Sequence, residues 1–230
     1  MDHGYISENL SVVLENIDAV KQRCGITRDI LLVAAVKYAD TEQIRYLCSV
    51  AGVKDLGENR VQQLLEHYEA VGESDVRWHF IGTLQTNKVK YIADKVCMIH
   101  SVDSVKLARE IDKQAKKHGR VIDVLVEINS GEEQNKSGVL PDDCEALCLE
   151  ISTLENVNLR GFMTMAPKCE KKEDYIKYFS QTYAKSLDIW TKKLHNISRP
   201  IISMGMSESY DAAIECGADI VRIGRSLFVK

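Results

Sequence analysis

The stretch Ile30-Leu-Leu-Val-Ala-Ala-Val-Lys37-Tyr38 decides the fold. Its apolar run ends in a lysine, and Asp40-Thr41 follow as a helix start. A short apolar run closed by such punctuation reads as a buried strand of a parallel sheet. Side chains alternate along a strand, so Lys37 shares a face with Leu31, Val33 and Ala35. If that face lines a barrel, the amine emerges at the carboxyl end of the strand, above a small residue that leaves room beside it. Desolvation there would favour the neutral amine, a nucleophile toward an aldehyde. The competing reading is a lysine that leaves the strand and reaches solvent along its own stem.

The same alternation of apolar runs and stops recurs on both sides. Residues 5–24 place Ile6, Leu10, Val13, Leu14, Ile17 and Val20 at helical spacing, and Gly25 ends that helix. After the strand at 30–37, a helix over 41–51 carries Ile44, Leu47 and Cys48 on one stripe. A strand over 53–56 leads to a helix over 60–71. The strand at 78–82 is followed by a short helix at 89–94, and the strand at 96–101 by a helix at 104–118. VIDVLVEIN, residues 121–129, is the clearest strand, and the polar loop 130–138 leads to a helix at 141–154. A strand at 159–165, a charged loop at 168–173 and a helix at 175–194 come next. The strands at 201–204 and 219–223 flank a helix at 208–216. Eight strands alternating with helices predict an α/β fold, a parallel (β/α)8 TIM barrel with an extra N-terminal helix. An open doubly wound sheet is the runner-up, disfavoured by the strand count and by the lack of a glycine-rich turn after the first strand.

The 230 residues suit a single domain over 1–230, since such a barrel needs roughly 200–250. A net charge of −4 gives no reason to expect nucleic-acid binding. No apolar run approaches the roughly 20 residues of a membrane span, and the first residues carry no secretory pattern. The seven cysteines form no CxxC pair, and Cys144 and Cys148, four apart on a helix, have no histidine at ligand spacing. They read as free thiols in a reducing cytoplasm, without structural zinc.

In a barrel the active site lies at the carboxyl ends of the strands, and the polar residues gather there. Ser203-Met-Gly-Met-Ser207-Glu208 sets a glycine turn and a serine N-cap at a helix start, a natural anion site. Gly224-Arg225-Ser226, after strand eight, offers a second set of amides, although an ordinary cap and turn would look alike. Arg222 shares a face with Ile220, and an inward arginine is costly unless paired or ligand-bound. Asn59 and Asn129 suit a planar ligand or the orienting of a charged neighbour. Lys88 and Lys136 sit on loops, at the mouth or in solvent, and His79 is either structural or catalytic.

Seven stretches now carry a resemblance. Val33-Ala-Ala-Val-Lys37, Gly57-Glu-Asn-Arg60, Trp78-His-Phe-Ile-Gly82 with Leu84-Gln85 and Asn87-Lys88, and Asn135-Lys-Ser-Gly138 begin the set. Gly161-Phe-Met-Thr-Met-Ala-Pro167, Ser203-Met-Gly-Met-Ser207 and Val221-Arg-Ile-Gly224 complete it. In order, over about residues 5–228, they resemble the pyridoxal phosphate homeostasis protein (YggS/PROSC) family, itself similar to the N-terminal barrel of alanine racemases. The resemblance implies a fold type III barrel holding pyridoxal 5′-phosphate (PLP) as a Schiff base on Lys37. It implies that Ser207, Gly224 and the Arg225 backbone hold the phosphate, and that Arg222 faces the pyridine nitrogen with Asn59 and Met204 near the ring. It further implies a cytoplasmic monomer or weak dimer that carries, buffers or delivers PLP to dependent apoenzymes, with Lys136 handling PLP in transit.

A cation at the pyridine nitrogen weakens the electron sink that most PLP enzymes use. The chain is also expected to lack the second domain and partner tyrosine of alanine racemases, so PLP carriage without turnover is favoured over a weak amino-acid racemase. A barrel enzyme of aldolase type, acting on another phosphorylated metabolite, is a third reading. One departure from the family stands out. After Gly224 the chain reads Arg225-Ser-Leu-Phe-Val-Lys230 where small residues and a glycine are usual.

Overall fold

In the computed structural model, which describes residues 3–72, 75–133, 136–192 and 199–230, parallel strands close into a barrel in chain order. The strands are β1 (Leu31–Ala35), β2 (Asp55–Glu58), β3 (Arg77–Phe80) and β4 (Val96–Val102), then β5 (Ile122–Ile128), β6 (Val157–Thr164), β7 (Ile201–Ser203) and β8 (Ile220–Ile223). β8 pairs back onto β1 through Leu31–Ile220 and Val33–Arg222, which closes the wall. The outer helices are α1 (Gly4–Cys24), α2 (Thr41–Ser49), α3 (Val61–Val71), α4 (Val105–Lys117), α5 (Cys144–Ser152), α6 (Lys172–Thr191), α7 (Tyr210–Glu215) and α8 (Arg225–Phe228). The extra N-terminal helix is α1. The helix expected at 89–94 is instead a 3₁₀ turn over Thr86–Tyr91, because β4 begins at Val96 and leaves no length for further turns.

Period-two alternation sorts the strand residues into two cores. Val33, Met98, Leu125, Met163 and Ile220 meet inside the barrel. Ala34, Leu56, Phe80, Val124, Phe162, Ile202 and Val221 face outward and pack under the helices. α1 turns Ile6, Leu10, Val13, Ile17 and Val20 toward that outer core, whereas Leu14 is exposed at the edge of its stripe. The same helix ties down the end of the chain, for Asn9 Nδ2 donates to the carbonyls of Leu227 and Val229. Among the described residues no helix is long and apolar enough to cross a membrane.

The segment that carries Lys37 differs from expectation in one respect. β1 ends at Ala35, and Val36–Ala39 form a turn in which the Ala39 amide donates to the Val36 carbonyl at 2.9 Å. A capping box then starts α2: Asp40 accepts the Gln43 amide at 2.8 Å, and the Gln43 side chain accepts the Asp40 amide at 2.8 Å. Lys37 therefore stands on a turn pinned at both ends, just past the strand.

The outer core is tight around Phe162, which is fully buried on β6 with its ring edge-on to Trp190 of α6 at 6.0 Å. Phe162→Ala should cost about 3–5 kcal/mol of unfolding free energy. Urea denaturation of the ligand-free protein checks this; a loss below about 1 kcal/mol would mean that the helix layer collapses into the gap.

Candidate functional site

The loops after β1, β7 and β8 enclose one cavity at the carboxyl end of the barrel. Lys37, Ser207, Arg222, Gly224 and Arg225 all line it, together with Ala35 beneath the lysine. Lys37 is half-buried, and its Nζ lies 5.0 Å from the centre of the Tyr38 ring. Sequence reasoning did not find Tyr38, Met206 or Tyr175, which close the same cavity from three different segments.

Close backbone packing shapes the floor. Gly205 has φ +91°, and a Cβ there would meet Ala213 Cβ at 2.5 Å, so this turn requires glycine. At Gly224 a Cβ would stand 2.7 Å from the Ala35 carbonyl oxygen. The first approach packs the turn after β7 onto α7, and the second sets the turn after β8 against the end of β1.

The serine cap falls elsewhere than expected. α7 begins at Tyr210 rather than at 208, and Ser209 is its N-cap, accepting the Met206 amide at 3.2 Å. Ser207 is thereby released from capping, and its Oγ accepts the Ser226 amide at 3.3 Å. That bond joins the two turns that the sequence had marked as an anion site. Arg225 projects outward and pairs with Glu208, so its backbone, more than its charge, belongs to the cavity.

Arg222 points into the barrel and is 3% exposed. Its Nη1 donates to Ser203 Oγ at 2.7 Å and its Nη2 to the Thr164 carbonyl at 2.9 Å. Burial lowers its pKa to about 10, partly offset by the charge of Glu127, so it stays cationic at neutral pH. No ion pair holds it among the described residues; neutral acceptors do.

Met204 and Asn59 are not brought into this cavity. Met204 follows the inward Ser203 and is therefore turned outward, fully buried in the outer core. Asn59 lines a neighbouring cavity with Phe80 and Tyr91, and its Oδ1 is buried without a hydrogen-bond partner. Asn129 braces its own loop, bonding the Glu133 amide and carbonyl through its two side-chain ends. Lys136 lies 3.9 Å from Glu133, beside a further cavity that shares Tyr175 and Met206 with the first. Asn135, the first residue of the quoted Asn135–Gly138 stretch, and the last residues of the helix expected at 175–194 lie outside the described residues. His79 is buried within a row of polar side chains inside the barrel.

Geometry of this kind, an amine and a buried cation beneath two joined turns, defines a barrel of the alanine racemase N-terminal class. The family model for "Alanine racemase, N-terminal domain" matches residues 9–230. A solved alanine racemase from Clostridium difficile shares the fold at 22% identity and TM-score 0.74, over 97% of this chain and 57% of that one. Within that class the chain belongs to the pyridoxal phosphate homeostasis protein family. The member from Aquifex aeolicus is 45% identical over 96% of both chains, and that from Escherichia coli 31% identical over 97% of this chain and 95% of its own. PipY from Synechococcus elongatus, solved with PLP bound, is 28% identical with TM-score 0.83, over 97% of this chain and 100% of that one.

Glu127 lines the adjoining cavity and is buried, which raises its pKa; Ser137 donates to it at 2.7 Å and opposes that shift. A carboxyl with a raised folded pKa binds its proton more tightly folded than unfolded. Stability therefore falls as pH rises from the ordinary value of 4.5 through the folded value. Glu127→Gln, which keeps an acceptor for Ser137, should raise the midpoint of thermal unfolding at neutral pH. The gain should fade below pH 4.5; a constant gain at every pH would show that ionisation of Glu127 is not its source.

Proposed function

We propose that this chain binds PLP on Lys37 and carries, buffers or delivers it, with no turnover of its own. The observation that carries the reading is one cavity lined by Lys37, Ser207, Arg222 and Gly224, at the joined ends of β1, β7 and β8. When bound, PLP supplies an aldehyde that condenses with a primary amine and a pyridine ring that withdraws electrons. The residues present fit such a group. Gly224 has no side chain and lines the cavity with backbone alone.

Each residue then has a task set by its chemistry. Lys37 offers the amine from a turn that α2 holds in place. Ser207, fixed by the Ser226 amide, and the Gly224–Arg225 backbone form the phosphate cradle. Arg222, a cation held in place by two hydrogen bonds, would face the ring nitrogen and disfavour its protonation. That would suppress electron withdrawal, which favours holding a cofactor over using it. Asn59, whose unpartnered Oδ1 lies at the neighbouring cavity, and Met204, packed in the outer core, have no direct part in this arrangement. The protein is taken to act as a single domain over 1–230, a cytoplasmic monomer or weak dimer with PLP-dependent apoenzymes as acceptors and Lys136 assisting transfer.

The test is chemical. Incubation with PLP, reduction with borohydride and peptide mass spectrometry should find the label on Lys37. Lys37→Ala should abolish label and visible absorbance while changing unfolding free energy by no more than about 0.5 kcal/mol. Label on another lysine alone, or persistence of the absorbance in that variant, would overturn the reading. Arg222→Gln should weaken PLP binding roughly tenfold, the loss of one charge-assisted contact. An unchanged spectrum and affinity would remove Arg222 from the ring nitrogen.

A further inference from the structure

Inside the barrel runs a row of polar side chains that the cofactor site does not itself employ. Asp55, at the start of β2, accepts two bonds from Arg77, which is partly exposed at the amino-terminal face. His79 Nε2 lies 3.0 Å from Asp55 Oδ1, and His79 Nδ1 lies 3.0 Å from His100 Nε2. His100 Nδ1 lies 3.0 Å from Ser203 Oγ, the same oxygen that accepts from Arg222 Nη1 at 2.7 Å. Asp55, His79, His100, Ser203 and Arg222 are all buried. The row thus crosses the barrel from its amino-terminal face to the cavity of Lys37.

The two ends dictate where the protons sit. A guanidinium can only donate, and a carboxylate can only accept. Ser203 Oγ accepts from Arg222, so its single O–H is available to His100 Nδ1. His100 then carries its hydrogen on Nε2 and gives it to His79 Nδ1. His79 in turn carries its hydrogen on Nε2 and gives it to Asp55. Every junction has one donor and one acceptor when both imidazoles are neutral Nε2–H tautomers. A second proton on His100 is opposed by burial and by the neighbouring His79 and Arg222, which hold its pKa well below the ordinary range.

We propose that His79, His100 and Ser203 are positioning residues, forming a one-way hydrogen-bond chain from Arg222 to Asp55 that fixes the guanidinium at the cofactor cavity. The consequence for PLP rests on the function proposed above; the ordering of the chain belongs to the ligand-free protein. Ser203 can hold Arg222 in one place only if its own hydroxyl hydrogen has a fixed acceptor. His100 Nδ1 is that acceptor, and Asp55 keeps it so from the far end. Without the chain Ser203 could rotate, and the guanidinium would keep the Thr164 carbonyl as its remaining bonded partner.

Two measurements test this. Nitrogen–proton NMR of the imidazoles in ligand-free protein at neutral pH, assigned through His79→Gln and His100→Gln, should show both histidines as neutral Nε2–H tautomers. An Nδ1–H tautomer or a doubly protonated ring at either position would overturn the chain. PLP titration supplies the second arm. His100→Gln, which keeps an acceptor and a donor, should stay within about threefold of the parent affinity, whereas His100→Leu should lose roughly tenfold and shift the visible absorbance. Both should keep the borohydride label on Lys37. Should the leucine variant not fold, Ser203→Ala removes only the hydroxyl and should show the same loss. Equal losses in the glutamine and leucine variants, or no loss in leucine or alanine, would overturn the positioning role. Absence of label from the parent protein would overturn the cofactor reading and the ligand arm with it, while the NMR arm decides the chain by itself.

Discussion

Burying the Arg222 guanidinium constrains the rest of the interior. A charge inside a barrel is tolerated only where polar groups replace the water it has lost. Here the replacement comes from the Ser203 hydroxyl on β7, the Thr164 carbonyl at the end of β6, and the Glu127 charge on β5. Each of these sits on a different strand, so the barrel must close in register before the guanidinium is satisfied. The apolar side chains of Val33, Met98, Leu125, Met163 and Ile220 pack together inside the same barrel. Polar and apolar side chains thus share the interior, with Arg222 at the end where the loops gather.

The cavity follows from the same arrangement. Arg222 and the turns after β7 and β8 line it, and Gly205 and Gly224 permit the close packing that those turns need. The Ser207–Ser226 bond makes those turns one unit, and the pinned turn of Lys37 completes the ring of groups. A primary amine, a bare backbone cradle and a fixed cation suit a phosphorylated aldehyde with a heteroaromatic ring. Membership of the pyridoxal phosphate homeostasis protein family agrees with such a ligand.

Departures from the sequence reading share a cause. The helix after β7 was expected at 208, capped by Ser207, yet it begins at Tyr210 with no side-chain cap bond, and Ser207 reaches across to Ser226. A serine before a helix start reads locally as a cap, and here a distant amide claims it instead. The resemblance sets Met204 near the ring, but alternation after the inward Ser203 turns it out. His100 drew no notice, for one histidine in an apolar strand looks like any other. Only the pairing of β3 with β4 sets it beside His79.

The sequence by itself determined the alternation of strands and helices, the inward face of the first and last strands, and the placing of Lys37, Arg222 and the glycine turns at the carboxyl ends. These are local properties: apolar period, punctuation and side-chain parity survive in any window of the chain. Only the tertiary structure decided which side chains share an atom. Ser203 Oγ meets Arg222 from β8 and His100 from β4, and Ser207 meets Ser226, through contacts between residues distant in sequence. Such contacts depend on barrel closure and on the register between strands, and no local pattern encodes either. The position of Lys37 at the strand end was legible; the buried chain beneath Arg222 was not.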